Sequence, residues 1–341
     1  DRHEAAGRAA EIAAEPRELP FVKEALASIE EGGLPEALAR VGSRNIASAE
    51  GFGSEFGLPL ESCHGSYQEV ADAEDVNIIY IATPHPLHAQ NARLALGGGK
   101  AVLCEKPFAM NRREAGQVVA LAREKKLFLM EAMWTRFLPA LAEVKRIMAS
   151  GAIGDITQVH ADFGFAATRN PAHRVNKREL GGGALLDLGI YPLSIACALL
   201  GPVDSVQAQA IMSETGVDAT TAFTMKHTGG TLSVCSCSLR ARSASELIVS
   251  GTEGSIRMQR MQRMFHLADA ITVDVHGQAP RTIPTPYLGN GYTHEAIAAG
   301  ECLRAGAVEH PLMRHADTLA LMALLDTIRG QIGLRYPADD Q

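Results

Sequence analysis

Short apolar runs alternate with helical stretches through the first half of the chain, and this alternation constrains the fold more than any other sequence feature. The run Val-Asn-Ile-Ile-Tyr-Ile-Ala is almost continuously apolar, as expected of a parallel strand that is buried on both faces. An alternation of such strands with helices predicts a doubly wound parallel sheet, which binds ligands at the carboxyl ends of its strands. The predicted strands are 76–82, 101–104 and 127–130, and the predicted helices are 88–96 and 112–125.

Polar residues follow the first two of these strands at the points where they end. Thr83-Pro84 follows one strand and Glu105-Lys106-Pro107 follows the next, and the carboxyl ends of parallel strands meet at one edge of the sheet. A lysine at such an end can reach into a cleft, with Glu105 able to hold its charge and Pro107 fixing the turn. The alternative is that Lys106 is a solvated surface lysine.

The first forty residues depart from the pattern of a dinucleotide-binding domain. Such a domain opens with an apolar strand that runs into Gly-x-Gly-x-x-Gly, because the backbone must approach the pyrophosphate where a helix starts. Residues 1–40 are instead rich in Ala, Glu and Arg, and resemble a helix. The glycines Gly51, Gly53 and Gly57 have the wrong spacing and lie in a predicted helix at 46–56. We therefore interpret the first strand and the glycine loop as missing.

Beyond residue 131 the pattern changes to alternating strands joined by glycine-containing turns. Successive hairpins predict an α+β domain with a large, open, mainly antiparallel sheet that helices cover on one face. We expect a dinucleotide-binding domain at 1–131, with 1–40 atypical, and a substrate-binding and dimerisation domain at 132–341. A large exposed sheet face favours a homodimer. The predicted strands are 155–165, 203–212, 220–227, 231–239, 245–249 and 255–258, and the predicted helices are 138–150, 184–200 and 315–332.

The composition narrows the classes of partner. A net charge of −7 provides no basic field for nucleic acid, and the sequence contains neither a signal-peptide pattern nor an apolar run that approaches the length of a membrane span. The six cysteines include no CxxC pair and the 12 histidines no HExxH motif, so no metal site is predicted. Cys235 and Cys237 share one face of a predicted strand. We interpret the cysteines as reduced, buried thiols of a cytoplasmic protein.

A second group of polar residues follows three consecutive glycines. Gly181-Gly182-Gly183 lets the backbone turn tightly into a helix, and Asp187 and Tyr191 come four residues apart on one helical face. In one interpretation Asp187 is a first-turn acid favoured by the helix dipole and Tyr191 is a half-buried aromatic. In the other, Tyr191 is a proton donor or acceptor whose pKa, ordinarily about 10, is lowered by a neighbouring lysine cation.

Six segments, in order and at family spacing, resemble the glucose–fructose oxidoreductase/inositol dehydrogenase (Gfo/Idh/MocA) superfamily. The branch that the chain resembles most contains the dimeric dihydrodiol dehydrogenases and the NADP-dependent D-xylose dehydrogenases. The resemblance covers most of the chain, from about Val41 to Pro337, and its segments are 41–44, 80–88, 103–107, 130–137, 180–191 and 289–292.

The resemblance implies an NADP-dependent oxidoreductase that transfers a hydride between nicotinamide and a hydroxyl or carbonyl group of a sugar, polyol or trans-dihydrodiol. Lys106 and Tyr191 would form the acid–base pair, and Asp187 would order them. In this scheme Lys106 favours the tyrosinate form of Tyr191, which then takes the proton of the alcohol.

The resemblance also implies a cofactor site. Ser43 and Arg44 follow the second strand, where an acid would bind a ribose 2′-hydroxyl. A hydroxyl with a guanidinium suits a 2′-phosphate instead, so NADP is implied over NAD, with NAD as the second option. The other implied cofactor residues are Thr83, Pro84 and His88 on the adenine–ribose and pyrophosphate side, Glu105 and Lys106 against the nicotinamide ribose, and Trp134 and Arg136 flanking nicotinamide and substrate.

The assignment of three further residues to the substrate site has two alternatives. Phe163, Arg174 and Tyr287 would form a substrate wall, or they are ordinary packing and surface charge.

The absent glycine loop supports a competing hypothesis, in which the chain is a catalytically silent or N-terminally altered relative that no longer binds dinucleotide. A metal-dependent hydrolase, the third hypothesis, finds little support in the histidine pattern.

Overall fold

The computed structural model describes residues 9–13, 38–259 and 268–340, with the backbone alone for 9–13 and Gln259. The strands are β1 Ala9–Ala13, β2 Leu38–Gly42, β3 Cys63–His64, β4 Ile78–Ala82, β5 Ala101–Glu105, β6 Leu129–Ala132, β7 Ile156–Gly164, β8 Val203–Met212, β9 Asp218–His227, β10 Leu232–Ser238, β11 Glu246–Gly251, β12 Gly254–Gln259, β13 Ala270–Val275 and β14 Arg281–Pro284. The α-helices are α1 Ile46–Glu55, α2 Tyr67–Asp72, α3 His88–Gly97, α4 Arg112–Lys125, α5 Pro139–Ala149, α6 Ile190–Leu200, α7 Thr293–Arg304 and α8 His315–Ile332.

The chain forms two compact units. The first takes the chain up to Trp134 and adds Leu288–Met322, and the second comprises Thr135–Tyr287 and the chain from Ala323 onward. The added segment is fastened to β6, because the Leu129 amide donates to the Val308 carbonyl at 3.1 Å. The first unit therefore includes α7, which the alternating pattern of the sequence did not predict.

The first unit is built on a six-stranded parallel sheet in the order β3-β2-β1-β4-β5-β6. This order is that of dinucleotide-binding domains, and it confirms the predicted doubly wound sheet. Strand β4 is buried along its whole length, and so is β5 except at Glu105, as predicted from their apolar runs. Strand β6 begins two residues later than predicted, because Lys126 takes the left-handed conformation (φ 53°) that ends α4.

The prediction that the first strand is missing was wrong. Ala9–Ala13 forms β1 and pairs in parallel with both β2 and β4, at the centre of the sheet. Alanine and glutamate favour helices intrinsically, but the position between two paired strands overrides that preference. The predicted loss of the glycine loop falls at residues 14–37 and lies outside the described residues.

The second unit contains an eight-stranded sheet in the order β14-β13-β12-β11-β7-β10-β9-β8. Its neighbouring strands pair antiparallel except β7 with β10, which are parallel, so the prediction of a mainly antiparallel sheet is confirmed. Strands β13 and β14 were not predicted, although Ile271 and Val273 alternate and are buried. The sheet is therefore larger than the sequence pattern indicated.

A long helical segment packs against β7 and β10. It begins with a π-helical turn, Leu185–Gly189, and continues as α6. Among the described residues, one stretch, Arg178–Leu200, is long and apolar enough to cross a membrane, judged by length and composition alone. This corrects the prediction that no segment approaches that length. Most of the stretch is buried inside the unit, and a helix apolar all round is typical of a protein core.

The cysteines mostly pack in the core, as predicted, and none of them forms a disulfide. Cys235 and Cys237 lie on the buried face of β10, and burial raises the pKa of both thiols. Cys197 is the exception, since it is only half-buried.

Candidate active-site residues

In the first unit, the residues predicted to bind the cofactor follow the carboxyl ends of β2, β4 and β5. Ser43 is buried and Arg44 is exposed, and both lie between β2 and α1. The side chain of Asn45 accepts the Ala47 amide and caps α1. Arg44 therefore lies beside a helix N-terminus, which attracts anions through its free amides and its dipole.

His88 joins the ends of β4 and β5 through the backbone. Its Nε2 lies 2.6 Å from the Thr83 carbonyl and its Nδ1 lies 2.8 Å from the Pro107 carbonyl. The ring is buried, and both nitrogens face protein carbonyls. His88 therefore acts on the predicted cofactor residues by holding the backbone of Thr83 and Pro107 together.

The Glu105 carboxylate is held from two sides. The Tyr80 hydroxyl donates to its Oε1, and the Lys106 backbone amide donates to its Oε2 at 3.1 Å. Lys106 itself is half-buried, and its peptide bond to Pro107 is cis. Glu105 thus fixes the turn by accepting the backbone amide of Lys106. The sequence analysis had interpreted Glu105 only as a partner for the charge of the Lys106 side chain.

A buried carboxyl that the sequence analysis missed lies near this turn. Glu295, on α7, is 2% exposed, and its Oε2 has no hydrogen-bond partner among the described residues. Burial, and then the negative charges of Glu105 and Glu131, raise its pKa well above the ordinary value. The motif that ends at Tyr292 was the available signal, since Glu295 follows it by three residues.

Trp134 and Arg136 are close in sequence but engage different surroundings. The Trp134 ring stacks on Tyr292, with 4.5 Å between centroids and 24° between planes. Arg136 is buried in the second unit, where its Nε donates to the Ser194 hydroxyl at 2.8 Å. Its Nη2 donates to the Ser194 carbonyl at 3.2 Å. The Arg136 guanidinium is thus bound to α6, and the predicted flanking role of both residues stays a prediction.

In the second unit, the three glycines start the helix as predicted, and close packing explains why they are glycines. A Cβ on Gly182 would lie 2.7–2.8 Å from the carbonyl oxygens of three residues between 174 and 177. Gly181 and Gly183 have positive φ values of 69° and 122°, a conformation that other residues rarely adopt.

The second unit brings four predicted site residues together in pairs. Arg174 Nη1 donates to Asp187 Oδ1 at 3.2 Å, and Asp187 is 5% exposed. The rings of Phe163 and Tyr191 meet edge to face at 5.7 Å, and both are buried. Arg174 is therefore more than a surface charge. Tyr287 is half-buried after β14, and within the described residues it has no hydrogen bond or ring contact with these four.

Side chains that could bind a metal ion are the last group of candidate residues. Over residues 38–259 and 268–340, no group of three or more His, Cys, Asp or Glu side chains is arranged to hold a metal ion. His85 and His88, the closest histidine pair in sequence, have ring centroids 5.7 Å apart and meet edge to face. Both are buried in the turn after β4.

Two family models match the chain. Residues 19–133 match the model described as an oxidoreductase family with an NAD-binding Rossmann fold, and residues 141–257 match the model of the GFO/IDH/MocA C-terminal domain. Two similar proteins are named trans-1,2-dihydrobenzene-1,2-diol dehydrogenase. The one from Danio rerio is 36% identical over 88% of this chain and 90% of its own length, and the one from Mus musculus is 35% identical over the same shares.

Two solved structures have the same fold. An aldose-aldose oxidoreductase from Caulobacter crescentus, complexed with glycerol, superposes with a TM-score of 0.82 at 24% identity. A 3-ketoreductase from Actinomadura kijaniata, in complex with NADP and TDP-benzene, superposes with a TM-score of 0.81 at 24% identity. Each likeness covers 95% of this chain and 97% of the other.

Proposed function

The chain belongs to the GFO/IDH/MocA oxidoreductase family, and on that premise we propose that it transfers a hydride between NADP and a hydroxyl or carbonyl group of a sugar, a polyol or a trans-dihydrodiol. It is an oxidoreductase with a Rossmann-type NAD-binding domain. The relatives named as trans-dihydrodiol dehydrogenases favour that substrate class. D-xylose and other aldoses are the second substrate class to assay.

The described residues of the first unit fit a dinucleotide. The sheet has the strand order of dinucleotide-binding domains, with Ser43, Thr83 and Lys106 following the carboxyl ends of three strands. We propose that Ser43 and Arg44 bind the adenosine-ribose 2′-phosphate and that Glu105 and Lys106 bind the nicotinamide ribose. Replacing Arg44 with alanine is expected to weaken NADPH binding about tenfold and to leave NADH binding unchanged, because a charged hydrogen bond is lost only with the 2′-phosphate.

The proton transfer is assigned to the protein. When bound, the dinucleotide supplies the hydride acceptor or donor at nicotinamide C4. Tyr191 exchanges the proton of the substrate hydroxyl, and the Lys106 ammonium stabilises its tyrosinate form. The observation that carries this assignment is the burial of Tyr191 against Phe163, one helical turn after an aspartate that Arg174 holds in place. Such packing fixes the direction of the phenol, as acid–base catalysis requires.

The test is turnover by purified Lys106→Met and Tyr191→Phe variants. Each substitution is expected to lower kcat by roughly 100- to 10,000-fold, the range for a positioned acid or base, with NADPH still bound by Tyr191→Phe. Phe165→Leu is the control, because Phe165 is an exposed aromatic outside the segments that carry Lys106 and Tyr191. Wild-type turnover in the Lys106→Met, Tyr191→Phe double variant would refute the assignment.

A second candidate function follows from the sequence between residues 14 and 31, which contains no glycine. In this alternative the chain keeps the family fold and no longer binds dinucleotide, because the close approach of backbone to pyrophosphate normally needs glycine. Titration of NADPH fluorescence separates the two candidates. Absence of binding at millimolar cofactor would contradict the enzymatic proposal for this chain.

We also propose that the protein is a cytoplasmic homodimer that pairs through the sheet of the second unit. Ile211 on β8 and Leu232 on β10 are 69% and 51% exposed, and a partner subunit on this sheet would cover them. Light scattering is expected to give twice the monomer mass. Ile211→Glu with Leu232→Glu should shift the mass to that of a monomer.

A further inference from the structure

The helix that carries Asp187 and Tyr191 begins without a cap from its own segment. Ala184, at its N-cap position, supplies no side-chain hydrogen bond, and the first amides of a helix need acceptors when they are buried. Asp218 provides the acceptor from the first residue of β9. Its Oδ2 accepts the Leu185 amide at 2.7 Å.

Asp218 is itself fixed in the core. It is 0% exposed, and its Oδ2 also accepts the Thr221 hydroxyl at 2.6 Å. The Oδ1 atom has no hydrogen-bond partner among the described residues. It lies against Gly183, where an added Cβ would come within 2.2 Å of it.

A second contact holds the same turn from another side. The Tyr336 hydroxyl donates to the Gly182 carbonyl at 2.6 Å, and it would lie 3.3 Å from a Cβ on Gly183. With φ at 122°, Gly183 has a backbone conformation that only glycine adopts without strain. The start of the helix is thus set by the carboxylate, which Gly183 allows to approach, and by the Tyr336 hydroxyl on the Gly182 carbonyl.

We propose that Asp218 is a positioning residue, which fixes the first turn of the helix and thereby the directions of Asp187 and Tyr191, with Gly183 as the residue that gives it room. As far as it concerns turnover, this inference rests on the proposed function. Asp218 itself touches neither substrate nor cofactor in the proposal. Its effect is transmitted through the amide of Leu185.

The charge state of Asp218 is compatible with this role. Burial raises its pKa to about 6, opposed by the hydrogen bonds from Thr221, Leu185, Ala184 and its own amide, so it is ionised at neutral pH. An ionised carboxylate at a helix N-terminus is stabilised by the helix dipole. The titratable groups that face it are Cys237 on β10 and Tyr336 beyond α8, and its charge contributes to raising the pKa of each.

The experiment compares Asp218→Ala with Asp218→Asn. Tyrosine labelled with ¹³C at Cζ is incorporated, and the Tyr191 signal is assigned by its loss in Tyr191→Phe. Asp218→Ala is expected to move this signal and to lower kcat about 100-fold, the scale for a misplaced catalytic group, with NADPH affinity unchanged. Asp218→Asn keeps an acceptor oxygen at the amides and should restore the signal and most of the turnover.

Asn111→Ala is the matched control, because Asn111 caps α4 by accepting the Glu114 amide at 2.9 Å. It removes a comparable cap and should leave the Tyr191 signal in place. A Tyr191 signal that is the same in Asp218→Ala and the wild type would overturn the inference.

Two further measurements cover the cases in which Asp218→Ala does not fold or the wild type shows no turnover. If Asp218→Ala does not fold, Gly183→Ala displaces the carboxylate without removing it, and a Tyr191 signal unchanged in a folded Gly183→Ala would also overturn the inference. If the wild type shows no turnover, the proposed function fails. The NMR comparison still decides whether Asp218 positions Tyr191.

Discussion

Each unit contains a buried carboxyl group with one oxygen that lacks a partner among the described residues, and the two groups have opposite surroundings. Asp218 in the second unit is surrounded by donors, namely the Leu185 amide at the start of the preceding helical segment and the Thr221 hydroxyl. Glu295 in the first unit has Glu105 and Glu131 as its charged neighbours. Burial raises the pKa of both, to about 6 for Asp218 and well above its ordinary value for Glu295.

The difference shows that burial alone does not decide what a buried acid does. Donors around Asp218 favour the ionised form and make it an anchor for a helix. Carboxylates around Glu295 add to the effect of burial, and together they raise its pKa. The oxygens of Glu105, one of these neighbours, accept from Tyr80 and the Lys106 amide. Hydrogen-bond donors thus oppose the effect of burial at Asp218, and negative charges reinforce it at Glu295.

The largest expected effect is that of removing the anchor. Asp218→Ala leaves the Leu185 amide and the Thr221 hydroxyl buried without their acceptor, which is expected to lower the free energy of unfolding by about 4 kcal/mol at pH 5. The loss is smaller at pH 7, because the substitution then also removes a buried charge. Urea unfolding of the variant and of Asn111→Ala, expected to lose about 1 kcal/mol, provides the measurement. If Asp218→Ala and Asn111→Ala lose equal amounts of unfolding free energy, Asp218 is an ordinary helix cap and the contrast between the two units disappears.

The next effect is a pH dependence that belongs to Asp218. Its pKa is about 6 in the folded protein against an ordinary value of 3.8, so the folded state binds the proton more tightly. The stabilising contribution is therefore complete below pH 3.8 and is lost as the pH rises through about 6, by roughly 3 kcal/mol. Unfolding free energies of wild type and Asp218→Asn across pH 4 to pH 7 should diverge by this amount. Parallel curves would contradict the assignment.

The smallest effect is expected at Glu295. Burial and then its acidic neighbours raise the pKa of Glu295 and so favour its protonated form. Glu295→Gln replaces that form with a neutral group of similar shape, and at pH 5 the free energy of unfolding should change by less than about 1 kcal/mol. Since the folded pKa is raised, the wild type loses stability relative to the variant as the pH increases. Glu143→Gln is a control of opposite sign, because Arg146 lowers the pKa of Glu143. A large loss of stability in Glu295→Gln at pH 5 would contradict the raised pKa of Glu295.

Elements with a local signal were predicted from the sequence. Helices α4 and α8 have apolar periodicity, and α4 begins at an asparagine cap and ends with a lysine in its last turn. The parallel strands β4 and β5 are short apolar runs between turn residues. Lys106 stood out because it lies beside a proline at the end of a strand, and Asp187 and Tyr191 stood out because they follow a turn of three glycines.

Features that depend on distant partners were not predicted. Strand β1 reads as helix because its residues favour helix, and only its neighbours in the sheet make it a strand. Asp218 contacts an amide 33 residues earlier in the chain, and no local pattern marks it. Glu295 is similar, because its surroundings come from strand ends that lie far away in sequence.

The parallel pairing of β7 with β10 divides the second sheet into two sets of strands that can each form locally. On one side of β7, strands β8, β9 and β10 are neighbours in the order of the chain. On the other side, strands β11 to β14 are also neighbours in the order of the chain. Strand β7 joins the two sets. It pairs Gln158 with Leu232 and Ala161 with Leu247, and each of these pairings closes a long loop of the chain. Because loop closure slows folding as sequence separation grows, β7 is expected to be the last strand to gain protection from hydrogen exchange during refolding. The order of assembly would then run from the two edges of the sheet toward its middle.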